Sequence, residues 1–140
     1  MPFNNILVAI DGSPGGYHAL TKAIELAALT HATLTGLSVE GRLPAYAATI
    51  GEVDEAKREK DAYFGKVASS ARAQAHEHGI QLEMEIRAGH AAELIVSYAA
   101  EIQADLVVVG YKGHFLEDYL LGSTADRVAH HARCPVMIVK

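Results

Sequence analysis

Apolar and polar positions alternate along this chain between two rhythms. Ile6 to Ile10 is an unbroken apolar run stopped by Asp11-Gly12, the mark of a strand buried on both faces. Ser13-Pro14 then offers an N-cap and a proline at the first helical position. Leu20, Ala23, Ile24, Ala27 and Ala28 follow at helical spacing and predict one apolar stripe. Thr33 to Val39 predicts the second strand, and Gly41 to Gly51, with Pro44, reads as irregular. Asp54 to His78 returns to the helical period, with Phe64, Val67, Ala68, Ala71 and Ala75 on one face and Gly79 placed to end it. Leu82, Met84 and Ile86 alternate with charged residues, as in a half-exposed or edge strand. After Gly89, the residues Leu94, Ile95, Tyr98, Ala99 and Ile102 mark a third helix. Leu106 to Val109 is a second continuous apolar strand. Gly110 to Gly122 is a glycine-punctuated loop. Ala125, Val128, Ala129 and Ala132 form a short last helix, and Pro135 to Val139 the final strand.

Strand and helix thus alternate throughout, ending on a strand. That order predicts an α/β fold: a Rossmann-like five-stranded parallel sheet with helices on both faces, because right-handed crossovers place them there. A length of 140 residues suits a single domain over 1–140. The two continuous apolar strands belong at the centre. If they are neighbours, Asp11 and the Gly110 loop share one crevice at the carboxyl ends of the strands, where such sheets bind ligands.

Charge and composition narrow the partners. With 12 basic against 17 acidic side chains the net charge is −5, which argues against nucleic acid yet leaves room for a single nucleotide held by backbone N–H groups. No stretch approaches the length of a membrane span. Met1 to Asn5 lacks the charged start and apolar run of a signal peptide. Cys134 is the only cysteine, so no internal disulfide forms. These features lead us to expect a cytoplasmic protein. The eight histidines lack metal-ligand spacing: His130 and His131 are adjacent and point about 100° apart on a helix.

The candidate chemistry lies in two places. Gly110-Tyr111-Lys112-Gly113 is followed, eight residues on, by Gly122-Ser123-Thr124. Glycines allow close backbone approach, and Gly122-Ser123 opens a helix whose free N–H groups and dipole favour an anion. The plainer alternative is a turn and a cap. Asp11 is either a turn former or an acceptor for ribose hydroxyls or an adenine amine. Neither a P-loop nor a Gly-x-Gly-x-x-Gly dinucleotide motif is present. Glu117 and Asp118 lie in the loop, but no base or nucleophile can be aimed from the sequence. We therefore expect a binder, at most a slow ATPase.

Taken together, Ile6-Leu-Val-Ala-Ile-Asp11-Gly-Ser13, Gly89, Asp105-Leu-Val-Val-Val-Gly110, Leu121-Gly122-Ser123 and Cys134-Pro-Val-Met-Ile-Val139 resemble the universal stress protein family over essentially the whole chain. The resemblance implies a stress-response regulatory protein that binds ATP or AMP, with Mg²⁺ as a possible companion. In it Ala9, Asp11 and Val39 would line the adenosine pocket. Val109, Gly110, Lys112, Gly113, Gly122, Ser123 and Thr124 would meet ribose and phosphates, with Gly89 at the pocket mouth. It also implies a homodimer paired through the last strand, 136–139, and a protein partner whose identity is unknown. The ATP-binding branch of the family carries Gly-x2-Gly-x9-Gly-Ser/Thr. Here the second interval is one residue shorter, the gap falling just after Gly113. The alternative is therefore an ATP-independent dimeric interaction module of the same family with a degenerate nucleotide loop.

Overall fold

The computed structural model describes residues 3–40, 50–111 and 122–140. Within them the chain runs β1 (Asn5–Ala9), α1 (Pro14–Thr30), β2 (Thr33–Glu40), α2 (Ile50–Glu77), β3 (Leu82–Ala88), α3 (Ala91–Glu101), β4 (Leu106–Gly110), α4 (Ser123–His131) and β5 (Val136–Val139). All strands are parallel, in the order β3-β2-β1-β4-β5. The α/β sheet expected from the alternation is the one that forms. The two unbroken apolar runs are indeed adjacent, with Ile6 beside Leu106 and Val8 beside Val108. From β1 the chain winds outward through β2 and β3, then returns to lay β4 on the other side of β1. The winding direction therefore reverses between β1 and β4.

Period-two alternation sends neighbouring side chains to opposite faces of the sheet. Ile6, Val8, Ile10, Leu34 and Val108 pack with Leu20 and Ile24 of α1 and Val67 and Ala71 of α2. Leu7, Leu37, Val107 and Val109 pack with Ile95 and Tyr98 of α3 and Val128 of α4. The central strands read as continuous apolar runs because each face feeds its own core. Burying one such side chain contributes about 1.5–3 kcal/mol.

The helix ends follow their sequence signals. Ser13 caps α1, its Oγ accepting the Gly16 N–H at 3.1 Å, with Pro14 opening the helix. Ser13→Ala should lower stability by about 1 kcal/mol, read as a shift of the urea midpoint at constant slope. An unshifted midpoint would show that the cap carries no weight. At the end of α2, Gly79 adopts φ +74°. Gly79 and Ile80 donate to the His76 and Ala75 carbonyls, both at 3.0 Å, closing the helix in a Schellman motif.

Several boundaries and faces differ from expectation. α2 starts at Ile50, ahead of the expected Asp54, and β5 starts at Val136. The rest of the irregular stretch lies outside the described residues. Ala28 is exposed, because eight residues past Leu20 it has rotated about 80° off the buried stripe. Ala129 of α4 is exposed too, while Ala125 and Val128 are buried. α4 packs against α3 and β5. β3 is an edge strand, as its alternation suggested, with Leu82 buried and Ile86 38% exposed. Arg87 ties this edge to α3, donating to both carboxylate oxygens of Glu101 at 2.9 and 3.2 Å. That fork holds the Glu101 carboxyl below its usual pKa. Cys134 is half-buried against the α3/α4 core, and burial pushes its thiol pKa up. No helix among the described residues is long and apolar enough to cross a membrane.

Candidate functional site at the strand carboxyl ends

The site grows from the turn that follows β1. Ile10 leaves the sheet with its N–H still bonded to the Leu37 carbonyl at 2.9 Å. The chain then reverses through Asp11 and Gly12, the latter at φ +84°, a conformation that favours glycine. Asp11 Oδ1 accepts the Ser13 N–H at 2.9 Å and also the Ser13 hydroxyl. Ser13 in turn caps α1, so a single carboxylate oxygen fixes both the turn and the helix start. The other oxygen, Oδ2, has no hydrogen-bond partner among the described residues.

Across the switch point, β4 ends at Gly110 and α4 begins at Ser123. Gly122 is the N-cap residue and offers no side chain to the first helical N–H groups. Those donors are left for water or an anion, with the helix dipole adding to the attraction. Gly122 N–H donates to the Tyr111 carbonyl at 2.8 Å, and Tyr111 N–H to the Val139 carbonyl at 2.7 Å. The two ends of the glycine loop are thereby joined.

Between the two ends lies a cavity of about 300 Å³. One wall is apolar: Ala9, Leu37, Val39 and Val109 from the strands, and Ala91 and Ile95 from α3. The lining also includes Asp11 and Ser13 at the β1–α1 turn, and Gly110, Gly122, Ser123 and Thr124 at the β4–α4 ends. Among the described residues its lining includes no lysine or arginine. An anion held here would rest on the N–H groups and hydroxyls at the start of α4. Among the described residues no group of three or more His, Cys, Asp or Glu comes together as a metal site.

Of the residues singled out in the sequence, Ala9, Asp11, Val39, Val109, Gly110, Gly122, Ser123 and Thr124 meet around this cavity. Gly89 is not in the lining. Its φ is +146°, its N–H donates to the Glu40 carbonyl at 2.9 Å, and it turns β3 into α3 just before Ala91. Lys112 and Gly113 lie outside the described residues. The sequence reading passed over Ile10, Gly16, Leu37, Ala91, Ile95 and Ala125, and it read Ser13 only as a cap. Two of these were within reach. Leu37 shares a strand face with Val39 by the period of two, and Ile95 shares a helix face with Ala91 by the step of four.

Outside the cavity, the Tyr63 hydroxyl donates to the Asp11 carbonyl at 2.8 Å. Burial, and then the nearby Asp11 charge, raise its pKa, so it remains a donor at neutral pH.

This placement of an acidic turn and an open helix start can be compared with known proteins. The model of the universal stress protein family matches residues 2–140. The chain belongs to that family. Universal stress protein YxiE of Bacillus subtilis is 33% identical over 99% of both chains. The structure of a universal stress protein from Lactobacillus plantarum superposes with TM-score 0.87 at 26% identity, covering 99% of this chain and 98% of that one. A second solved universal stress protein, in complex with cAMP, is 26% identical with TM-score 0.74, covering 99% and 97%. The family resemblance seen in the sequence therefore holds along the whole chain. The fold that carries it is the five-stranded parallel sheet of those structures.

Proposed function

We propose that this universal stress protein is a single-domain regulatory protein that binds an adenine nucleotide, ATP or AMP, in the cavity at the β1/β4 switch point. The observation that carries the reading is the pairing of an unpartnered carboxylate oxygen on Asp11 with the uncapped start of α4 across one cavity. In this reading Ala9 and Val39 flank the base, and Val109 stands with the residues that meet ribose and phosphates. Asp11 Oδ2 accepts from ribose hydroxyls or the adenine amine. Gly110, Gly122, Ser123 and Thr124, with Lys112 and Gly113, meet the phosphates. Gly89 shapes the mouth. The volume of about 300 Å³ is at the lower end for small-molecule sites, about 300–1,000 Å³, which suits a nucleoside with its phosphates directed toward solvent and any Mg²⁺ held among them. The relative solved with cAMP supports an adenine nucleotide as the ligand class. Ligand occupancy then alters which protein partner is engaged in the stress response.

Isothermal titration with ATP·Mg²⁺ and with AMP, on protein checked by mass for carried-over nucleotide, tests this. Saturable micromolar binding is expected. Absence of heat at several temperatures would overturn it. It would leave the second reading, an ATP-independent interaction module, which the one-residue-shorter loop favours.

The same reading pairs two copies through β5. Its residues Val136 to Val139 are apolar and half-buried on both faces, and β5 ends the sheet. Apolar edges of this kind need pairing or cover. Light scattering at micromolar concentration should give twice the chain mass, and a monomer mass would rule the pairing out.

A further inference from the structure

The cavity lies on the α3/α4 side of the sheet, whereas α2 packs on the other side through Val67, Ala71 and Ala75. One side chain of α2 nevertheless reaches the turn that builds the cavity. Tyr63 is 44% exposed, and its ring stands edge-on to that of Phe64, 5.0 Å away at 84°. Its hydroxyl donates to the main-chain carbonyl of Asp11 at 2.8 Å. The fit continues at the next residue. A Cβ on Gly12 would come within 2.2 Å of the Tyr63 hydroxyl oxygen and 3.1 Å of a Val67 methyl. The phenol thus fills the space that glycine leaves open, at the one residue of the turn held at φ +84°.

Asp11 is therefore gripped from two sides. Its carboxylate is held from α1 through Ser13, and its carbonyl from α2 through Tyr63. Displacement of the Asp11–Gly12 turn would carry with it the Asp11 side chain that lines the cavity, and the bond from the Tyr63 hydroxyl opposes that displacement. A purely packing role needs only the ring. The hydroxyl adds a bond to a site backbone atom that water could otherwise supply.

We propose that Tyr63 is a positioning residue for the nucleotide site and that it couples α2 to ligand binding across the sheet. The inference rests on the nucleotide reading above. Nucleotide in the cavity holds the Asp11 turn in the conformation that Tyr63 binds, so occupancy tightens α2. By reciprocity, anything that pulls α2 away weakens nucleotide binding by the same factor. α2 is then the element through which a partner protein would sense the ligand.

Tyr63→Phe in the full chain removes the hydroxyl and keeps the ring. Affinity for AMP and ATP·Mg²⁺ should fall about 2- to 10-fold, the net worth of one such hydrogen bond, measured well below the melting temperature of the variant. Hydrogen exchange supplies a readout that a structural role would not move. In the parent chain, saturating AMP should slow exchange in the part of α2 around Tyr63, and in Tyr63→Phe this slowing should shrink. A variant with lower melting temperature but parental affinity would overturn the proposal, as would parental α2 whose exchange ignores AMP while titration shows AMP bound. The parent measurement needs no variant, so a Tyr63→Phe chain that fails to fold still leaves the proposal open to refutation. If the parent binds neither nucleotide, the nucleotide reading itself fails, and the coupling falls with it.

Discussion

Asp11→Asn will weaken nucleotide binding about 10- to 100-fold, the worth of a hydrogen bond to a charged acceptor, and will barely move the melting temperature. Asparagine keeps Oδ1, so the bonds from the Ser13 N–H and hydroxyl survive and α1 still starts where it does. What changes is the second oxygen. Oδ2 has no protein partner among the described residues, and in its place the variant presents an NH₂ group. Toward an adenine amine that group is a donor facing a donor, and a ribose hydroxyl would have to turn and accept, losing its bond to a charged acceptor. Titration calorimetry on parent and variant gives the affinity ratio, and thermal unfolding without ligand gives the control. Equal affinities would remove Asp11 from the binding machinery and leave it a turn former. Asp11→Ala should differ in kind, because it also strips Ser13 of its anchor and adds a stability loss to the binding loss.

Gly110→Val should be the most damaging change at the site, destroying binding and lowering stability by about 3 kcal/mol, at the upper end for overpacking. β4 ends so close to the first turn of α1 that a Cβ at Gly110 would sit 2.8 Å from both the carbonyl carbon and oxygen of Gly15. Those are main-chain atoms, and relief requires shifting α1 itself, together with Ser13 and Gly16, which line the cavity. Gly36 on β2 is the informative contrast. A Cβ there would come within 2.4 Å of the Met84 sulfur, a tighter contact on paper, but with the far end of a flexible side chain on an edge strand. Gly36→Ala should therefore cost less than about 1 kcal/mol, and Gly110→Ala clearly more. Urea midpoints for the two alanine variants decide the point. Equal midpoints would mean that α1 yields to β4 without penalty.

The fold was legible in the sequence wherever its cause is periodic. Ile6–Ile10 and Leu106–Val109 announced the two central strands because burial on both faces leaves no polar positions. The placement of Asp11 beside Gly110 followed from their adjacency. The caps at Ser13 and Gly79 were legible because each is a local solution to unpaired backbone groups. What escaped depends on distance across the structure. Ala28 and Ala129 look like members of buried stripes, yet whether they are covered depends on neighbours that no local pattern encodes. Tyr63 contacts Asp11 from 52 positions away, and a lone hydroxyl on a charged helix face carries no periodic signal. Ile95 enters the site because α3 packs over β2 beside Leu37. The motif residues of the site were recoverable as strand ends and a helix start. Its apolar wall was recoverable only in part, since side chains from α3 join it through packing.

The residues that frame the cavity stand mostly at the ends of elements. Strand termini, two turns and the opening of a helix frame it, and small residues such as Ala9, Ala91 and Gly122 leave its space open. A hollow made this way is inherited with the backbone. Whatever maintains the sheet therefore also maintains the hollow. Changes at a few positions around its rim can then alter what fills it, or what responds to the filling. Descent with a fixed vessel and changeable contents is the evolutionary counterpart of a site framed by the ends of its elements.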